Sequence, residues 1–244
     1  MAIKSIHYKE HIFDISYEII NPHENVDLVV LHGWGSNKNL MKQSFSPYMK
    51  SFRHIYIDLP GFGNSTCSMV LTTEDVAVII DLFLHEIGIQ KEIILGHSFG
   101  GKVGLLLDPK FLVLVASAGI YVEKSFNIKL KIALFKILKF FGLSKFRSLF
   151  IASDAKELDE YMYETFKNVV NEDFSDIFAN YDGKALLFWG KDDTATPLSS
   201  AQKIDKLVKD SQLKVYDGDH YFFMNNAPDI SQMIEKEVLK SLEK

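Results

Sequence analysis

Apolar residues follow two rhythms along this chain. Short runs in which almost every position is apolar recur at Val26 to Leu31, Phe52 to Leu59, Glu92 to Leu95, Phe111 to Val115, Lys184 to Trp189 and Leu213 to Tyr216. Runs of this kind predict strands buried on both faces, as in a parallel sheet. Between them the spacing changes to three and four. Val76, Ile79, Ile80, Phe83, Leu84 and Ile87 mark one buried helical face, opened by Thr72-Thr73-Glu74-Asp75 and closed by Gly88. Further helices are predicted over Leu198 to Val208 and Asp229 to Leu242. Residues 3–20 alternate instead, with Ile12, Ile15, Tyr17 and Ile19 among polar neighbours, and predict two antiparallel strands. Strands alternating with helices predict right-handed crossovers and a mostly parallel sheet covered on both faces.

The rhythm breaks at residues 120–182. Ile128 to Phe150 is a strongly apolar, helix-compatible stretch carrying Lys129, Lys131, Lys136, Lys139, Lys145 and Arg147, and a mixed-charge helical region follows from Asp154 to Val170. The division expected is a core of residues 1–119 and 183–244 with a helical cap, residues 120–182, laid over the strand ends. The basic residues of the cap are read as a solvated face rather than a membrane contact.

Composition narrows the function. With 244 residues, 47% of them hydrophobic, the chain can bury one large core, and a net charge of −5 without a dominant basic face gives no reason to expect nucleic acid as partner. The first residues, Met1 to His7, lack the apolar core of a signal peptide, and the lone Cys67 cannot form an internal disulfide. A cytoplasmic protein is expected. There is no Cys/His cluster with metal-ligand spacing, and no metal or organic cofactor is implied.

The candidate chemistry lies in the loops that follow the strands, where ligands bind on sheets of this kind. Gly96-His97-Ser98-Phe99-Gly100-Gly101 sits between a β-type run and a helix-compatible stretch, the Gly-x-Ser-x-Gly context of a serine held on a tight strand-to-helix turn. Gly96 and Gly100 carry no Cβ to clash there. The Phe99 N–H beside Ser98, at a helix N-terminus, and the Trp34 N–H of His32-Gly33-Trp34-Gly35 are the two expected donors to an oxyanion. Trp34 and Phe99 are also expected to touch substrate, whereas His32 is expected to be a buried histidine bonded to neighbouring backbone. A hydroxyl needs a base, and His220 follows the last strand; the imidazole needs a carboxylate, and Asp193 follows the strand before it. The chain order Ser98, Asp193, His220 is the one expected of this architecture.

On these segments, together with Asp58-Leu59-Pro60-Gly61-Phe62-Gly63-Asn64-Ser65, Gly190-x-x-Asp193-x-x-x-Pro197 and Gly218-x-His220, the chain resembles α/β-hydrolase-fold enzymes over nearly its full length. The resemblance implies an α/β-hydrolase fold and a Ser-His-Asp site, and its Gly-x-x-Asp-x-x-x-Pro spacing selects Asp193 over Asp192. The His-Gly-Trp-Gly form is similar to small carboxylesterases such as pimeloyl-ester esterases; the Asp-Leu-Pro-Gly-Phe-Gly block also resembles meta-cleavage-product hydrolases, which cut a carbon–carbon bond. The expected reaction is cleavage of a small apolar carboxylic ester through a Ser-His-Asp acyl-enzyme; carbon–carbon hydrolysis is the alternative, favoured if Lys102, Arg147 or a cap lysine faces the substrate. A hydrolase-fold protein that binds a small ligand with little turnover is the alternative of another class. Asp108-Pro109 interrupts the helix after Ser98 early, so that helix is expected to be only about two turns.

Overall fold

The computed structural model describes residues 1–121 and 160–242. Eight strands form one sheet: β1 Ala2–Tyr8, β2 His11–Ile20, β3 Asp27–Leu31, β4 Arg53–Ile57, β5 Ile93–His97, β6 Phe111–Val115, β7 Lys184–Gly190 and β8 Asp210–Tyr216. Their spatial order is β1-β2-β4-β3-β5-β6-β7-β8, with β1 and β2 antiparallel and every pairing from β4 to β8 parallel. This is the α/β-hydrolase arrangement, and it brings the loops after β3, β5, β6 and β7 side by side.

The helices among the described residues are α1 Lys38–Phe45, α2 Thr73–Glu86, α3 Phe99–Leu106, α4 Glu160–Val169, α5 Ser175–Asn180, α6 Leu198–Leu207 and α7 Phe223–Leu242. They cover both faces, and the two-residue period of a strand divides the core between them. Leu28, Val30, Leu95, Val113 and Leu186 pack with Met41 and Phe45 of α1 and with Phe223, Ile230 and Ile234 of α7. The alternate residues Val29, Leu31 and Ile94 pack with α2 and α3, and Leu114, Leu187 and Trp189 pack with Ala201 and Ile204 of α6. Because both faces are covered, the central strands are apolar at nearly every position.

The helix α2 begins as its sequence predicts: the Thr72 hydroxyl accepts from the Asp75 N–H, and the Asp75 carboxylate accepts in return from the Thr72 N–H. The helix after Ser98 is eight residues long, the two turns expected. One helix and two boundaries differ. The sequence reading contained no α1, β8 starts at Asp210 rather than Leu213, and α7 starts at Phe223 and runs through Pro228 rather than beginning at Asp229.

Of the region between β6 and β7, the Ile128 to Phe150 stretch and residues 154–159 lie outside the described residues. The described part docks on the core. Met162 of α4 is buried beside Phe99 and Val76, Thr165 Oγ1 accepts from the Leu71 N–H at 2.9 Å, and the Asn168 amide donates to the Leu71 carbonyl at 3.1 Å. Further on, the Phe174 N–H donates to Gly119 O at 2.7 Å, and Phe174, Phe178 and Tyr181 are buried beneath it. No described helix is long and apolar enough to cross a membrane.

Candidate active site

Ser98 stands at the junction of β5 and α3 with φ +52° and ψ −113°, a conformation that a residue with a Cβ rarely adopts. Holding it there costs on the order of 1–3 kcal/mol, and the surroundings fix it. Its N–H donates to Val115 O at 3.1 Å, and its carbonyl accepts from the Gly101 and Ala118 N–H groups, each at 3.0 Å. The flanking glycines are required by contact: a Cβ on Gly96 would fall 2.4 Å from Gly100 O, and one on Gly100 would fall 2.6 Å from both Leu31 O and His32 O. Ser98 is partly exposed and lines a cavity of about 350 Å³.

Asp193 and His220 meet at the same cavity. His220 Nδ1 lies 2.8 Å from Asp193 Oδ2, so the ring donates from Nδ1 and keeps Nε2 as its basic nitrogen. The Asp193 side chain is fully buried, whereas that of His220 remains 16% exposed. Three more donors hold the carboxylate: the Ala195 N–H at 2.8 Å and the Thr196 N–H at 2.9 Å on Oδ1, and the Thr196 hydroxyl at 2.8 Å on Oδ2. Burial pushes the Asp193 carboxyl up, but His220 and the Thr196 donors outweigh it and hold the acid below its ordinary range. Asp192 is exposed. The spacing that singled out Asp193 thus coincides with the residue that reaches His220.

The loop after β3 brings Trp34 to the other side of Ser98. Its ring lies 5.5 Å from Phe99, 4.8 Å from Phe62 and 5.3 Å from Phe166 of α4. The Trp34 and Phe99 residues both line the cavity, and the Phe99 N–H opens α3, where no carbonyl of its own helix can accept it. His32 is buried, with Nδ1 2.7 Å from Gly33 O and Nε2 accepting from the Leu59 N–H at 3.0 Å. Burial pulls it down to about 4, so it is a neutral ring that fixes two loops, as expected.

Two residues without an expected role, His97 and Thr196, also belong to the site, as does Lys102. His97 is buried against the His220 ring at 4.7 Å, and its Nε2 is 3.2 Å from the His220 carbonyl. Burial and the neighbouring His220 pull it down to about 3, so it too is neutral. Thr196 is bound to Asp193, and its place between Asp193 and Pro197 was the available signal. Lys102 of α3 lines the cavity, but its ammonium is engaged by the Glu172 carboxylate at 2.5 Å, the Val169 carbonyl at 2.6 Å and, more loosely, the Thr73 hydroxyl at 3.4 Å. Burial pulls Lys102 down and Glu172 counters it. Arg147 lies outside the described residues.

A parallel sheet with a strained serine at a strand-to-helix turn and a His–Asp pair two loops away defines a hydrolase-type α/β architecture. The chain belongs to the alpha/beta hydrolase family, which its sequence matches over residues 28–230. It is 43% identical over 77 residues to the pimeloyl-[acyl-carrier protein] methyl ester esterase of Vibrio campbellii, a stretch covering 32% of this chain and 29% of that relative. With the corresponding protein of Aeromonas salmonicida it shares 32% identity over 110 residues, 40% of each chain. The chain thus matches less than half the length of these curated relatives. Among solved structures, a thermophilic esterase from Thermogutta terrifontis superposes with a TM-score of 0.75 at 17% identity, covering 98% of this chain and 99% of that one. A meta-cleavage product hydrolase from Pseudomonas fluorescens superposes with a TM-score of 0.72 at 16% identity, covering 94% and 95%. At such identities the superpositions show a shared fold.

Proposed function

We propose that this chain is a serine hydrolase that cleaves a small, largely apolar carboxylic ester through an acyl-enzyme, with Ser98, His220 and Asp193 as its catalytic residues. Ser98 Oγ attacks the ester carbonyl carbon while His220 Nε2 takes its proton, and Asp193 holds the ring in the tautomer that leaves Nε2 free. The negative oxygen that forms is held by the Trp34 and Phe99 N–H groups, each lowering the barrier by roughly 3 kcal/mol. The tetrahedral species collapses, the alcohol leaves with the proton from His220, and water releases the acyl group by the same relay. The observation that carries this reading is the His220–Asp193 contact of 2.8 Å at the cavity that also exposes the strained Ser98.

Residues 120–182 serve in this proposal as a cap whose described part supplies apolar wall: Phe166, Val169 and Val170 face the cavity beside Ile120. A cytoplasmic setting is part of the same reading. The carbon–carbon hydrolase alternative calls for a cation to meet the substrate carboxylate, and Lys102, the candidate within the described residues, already has its charge met by Glu172. The curated relatives named above are ester hydrolases, which supports the ester reading.

The test is hydrolysis of p-nitrophenyl esters from acetate to octanoate by the wild type and by Ser98→Ala. Turnover that disappears in the variant is expected, with the best chain length reporting cavity depth. A wild type without turnover would favour the ligand-binding alternative and overturn the mechanism.

A further inference from the structure

An ammonium group taken out of water must find acceptors for its protons, so the partners of a buried lysine show what it holds together. Lys102, on α3 one turn beyond Ser98, has a side chain only 2% exposed. Its ammonium reaches out of the core to the region between β6 and β7, where it donates to the Glu172 carboxylate at 2.5 Å and to the Val169 carbonyl at 2.6 Å. The Thr73 hydroxyl, 3.4 Å from the ammonium, donates to the same Glu172 oxygen at 2.5 Å. The rings of Phe99 and Phe174 each lie 5.3 Å from the charge.

Val169 is the last residue of α4, so its carbonyl points past the end of the helix, where a cation also meets the negative end of the helix dipole. Lys102 thus closes the C-terminus of α4. What it closes is cavity wall: Phe166, Val169 and Val170 line the same cavity as Ser98 and His220. The bonds that Thr165 and Asn168 of α4 make to the core both run to Leu71, which precedes α2. The bond from Lys102 instead starts on the helix that carries the nucleophile at its head. It couples the position of the wall to the position of the reacting serine.

We infer that Lys102 is a positioning residue for substrate selection: by tying Val169 and Glu172 to the nucleophile-bearing helix, it fixes the apolar wall against which a hydrocarbon chain of the ester lies. This rests on the reading of Ser98 as the nucleophile of an ester hydrolase. The residue acts through the wall rather than on the reacting atoms. Cutting the tie releases the end of α4, so a long chain loses contacts that a short one never makes.

Long and short esters on the same protein test this. The ratio of kcat/KM for p-nitrophenyl octanoate to that for the acetate probes the acyl side, and the ratio for octyl acetate to ethyl acetate probes the alcohol side. Lys102→Met is expected to lower at least one ratio by about four- to fifteenfold, the contact of one or two methylenes, with the loss in the KM of the long ester. Glu172→Ala, which leaves the Val169 contact, should shift the same ratio less, and the double variant no further than Lys102→Met alone. A lysine that merely stabilises the fold would slow all esters alike. Unchanged ratios in Lys102→Met, or in Glu172→Ala should the first variant not fold, would overturn the inference. Hydrogen exchange of residues 160–171, read by mass spectrometry without ligand, is expected to be at least tenfold faster in the variants, and unchanged exchange would equally overturn it. A wild type that turns over none of these esters would sink the hydrolase reading. Calorimetric titration of p-nitrophenyl octanoate into the wild type and Lys102→Met then still decides the inference, tighter binding by the wild type upholding it and equal or absent binding overturning it.

Discussion

Two carboxylates are buried at the same edge of the sheet, and only one belongs to a reactive site. Asp58, after β4, accepts from the Lys38 N–H at 2.8 Å, the Lys38 ammonium at 2.5 Å and the Asn64 N–H at 3.0 Å. Asp193, after β7, accepts from two backbone N–H groups, the Thr196 hydroxyl and His220. Each carboxylate also has a buried neutral histidine near it, His32 whose Nε2 accepts from Leu59 and His97 against His220. The difference lies in the nitrogen partner. Lys38 is 1% exposed and sealed from the cavity, whereas His220 keeps 16% exposure and lines it. A buried, fully bonded carboxylate is therefore not by itself a site. Access to the cavity and an imidazole partner with a second nitrogen free to take a proton make it one.

Substitutions at the two nodes separate these functions. The largest effect is expected from Asp193→Asn, which keeps the shape but favours the wrong tautomer of His220: kcat should fall by about 10⁴-fold while the unfolding midpoint moves little. Loss of folding with no specific loss of rate would contradict the assignment. Asp58→Asn should do the reverse, leaving the Lys38 ammonium buried and unpaired at a cost of about 3–5 kcal/mol in denaturant unfolding.

Acid sharpens the comparison next. His32 and His97 are held down to about 4 and about 3 by burial. In the unfolded chain both take up a proton near pH 6.5, so below that pH the unfolded state binds more protons than the folded one. Stability should therefore fall on acidification by about 2.7 kcal/mol per pH unit with both histidines contributing, and level off below their folded values. Unfolding curves that coincide between pH 6.5 and 4.5 would contradict the buried, neutral state of these rings. The smallest effect is expected from Thr196→Val, which removes one hydroxyl from Asp193: about 1 kcal/mol of stability and a severalfold loss in kcat, measured in parallel.

Much of this molecule was legible in the sequence because the information was local. Strands covered on both faces announce themselves as unbroken apolar runs, and the capping residues Thr72 and Asp75 are neighbours in the chain. The elbow was legible because its Gly-x-Ser-x-Gly spacing is local and Gly96 answers to Gly100 one turn away, although Gly100 itself makes room for the Leu31 and His32 carbonyls of a distant loop. What was missed depended on distant partners or weak local signals. The helix α1 has few apolar residues, Leu40, Met41 and Phe45 among polar ones, although Asn37 caps it by accepting from the Asn39 N–H. Pro228 reads as a helix breaker, yet it lies only a turn and a half inside α7, near the end that leaves N–H groups unbonded. The inward turn of Lys102 depends on Glu172 and Val169, about seventy residues away, and the Lys38–Asp58 pair bridges twenty. No spacing rule reveals such pairs.

The central claim is that His220 and Asp193 activate Ser98. Its most direct measurement is the rate of fluorophosphonate labelling in the wild type, His220→Ala and Asp193→Asn, with the modified peptide mapped by mass spectrometry. The account predicts a single adduct on Ser98 in the wild type, formed orders of magnitude more slowly in both variants. An adduct on another residue, or equal labelling rates in all three proteins, would contradict it.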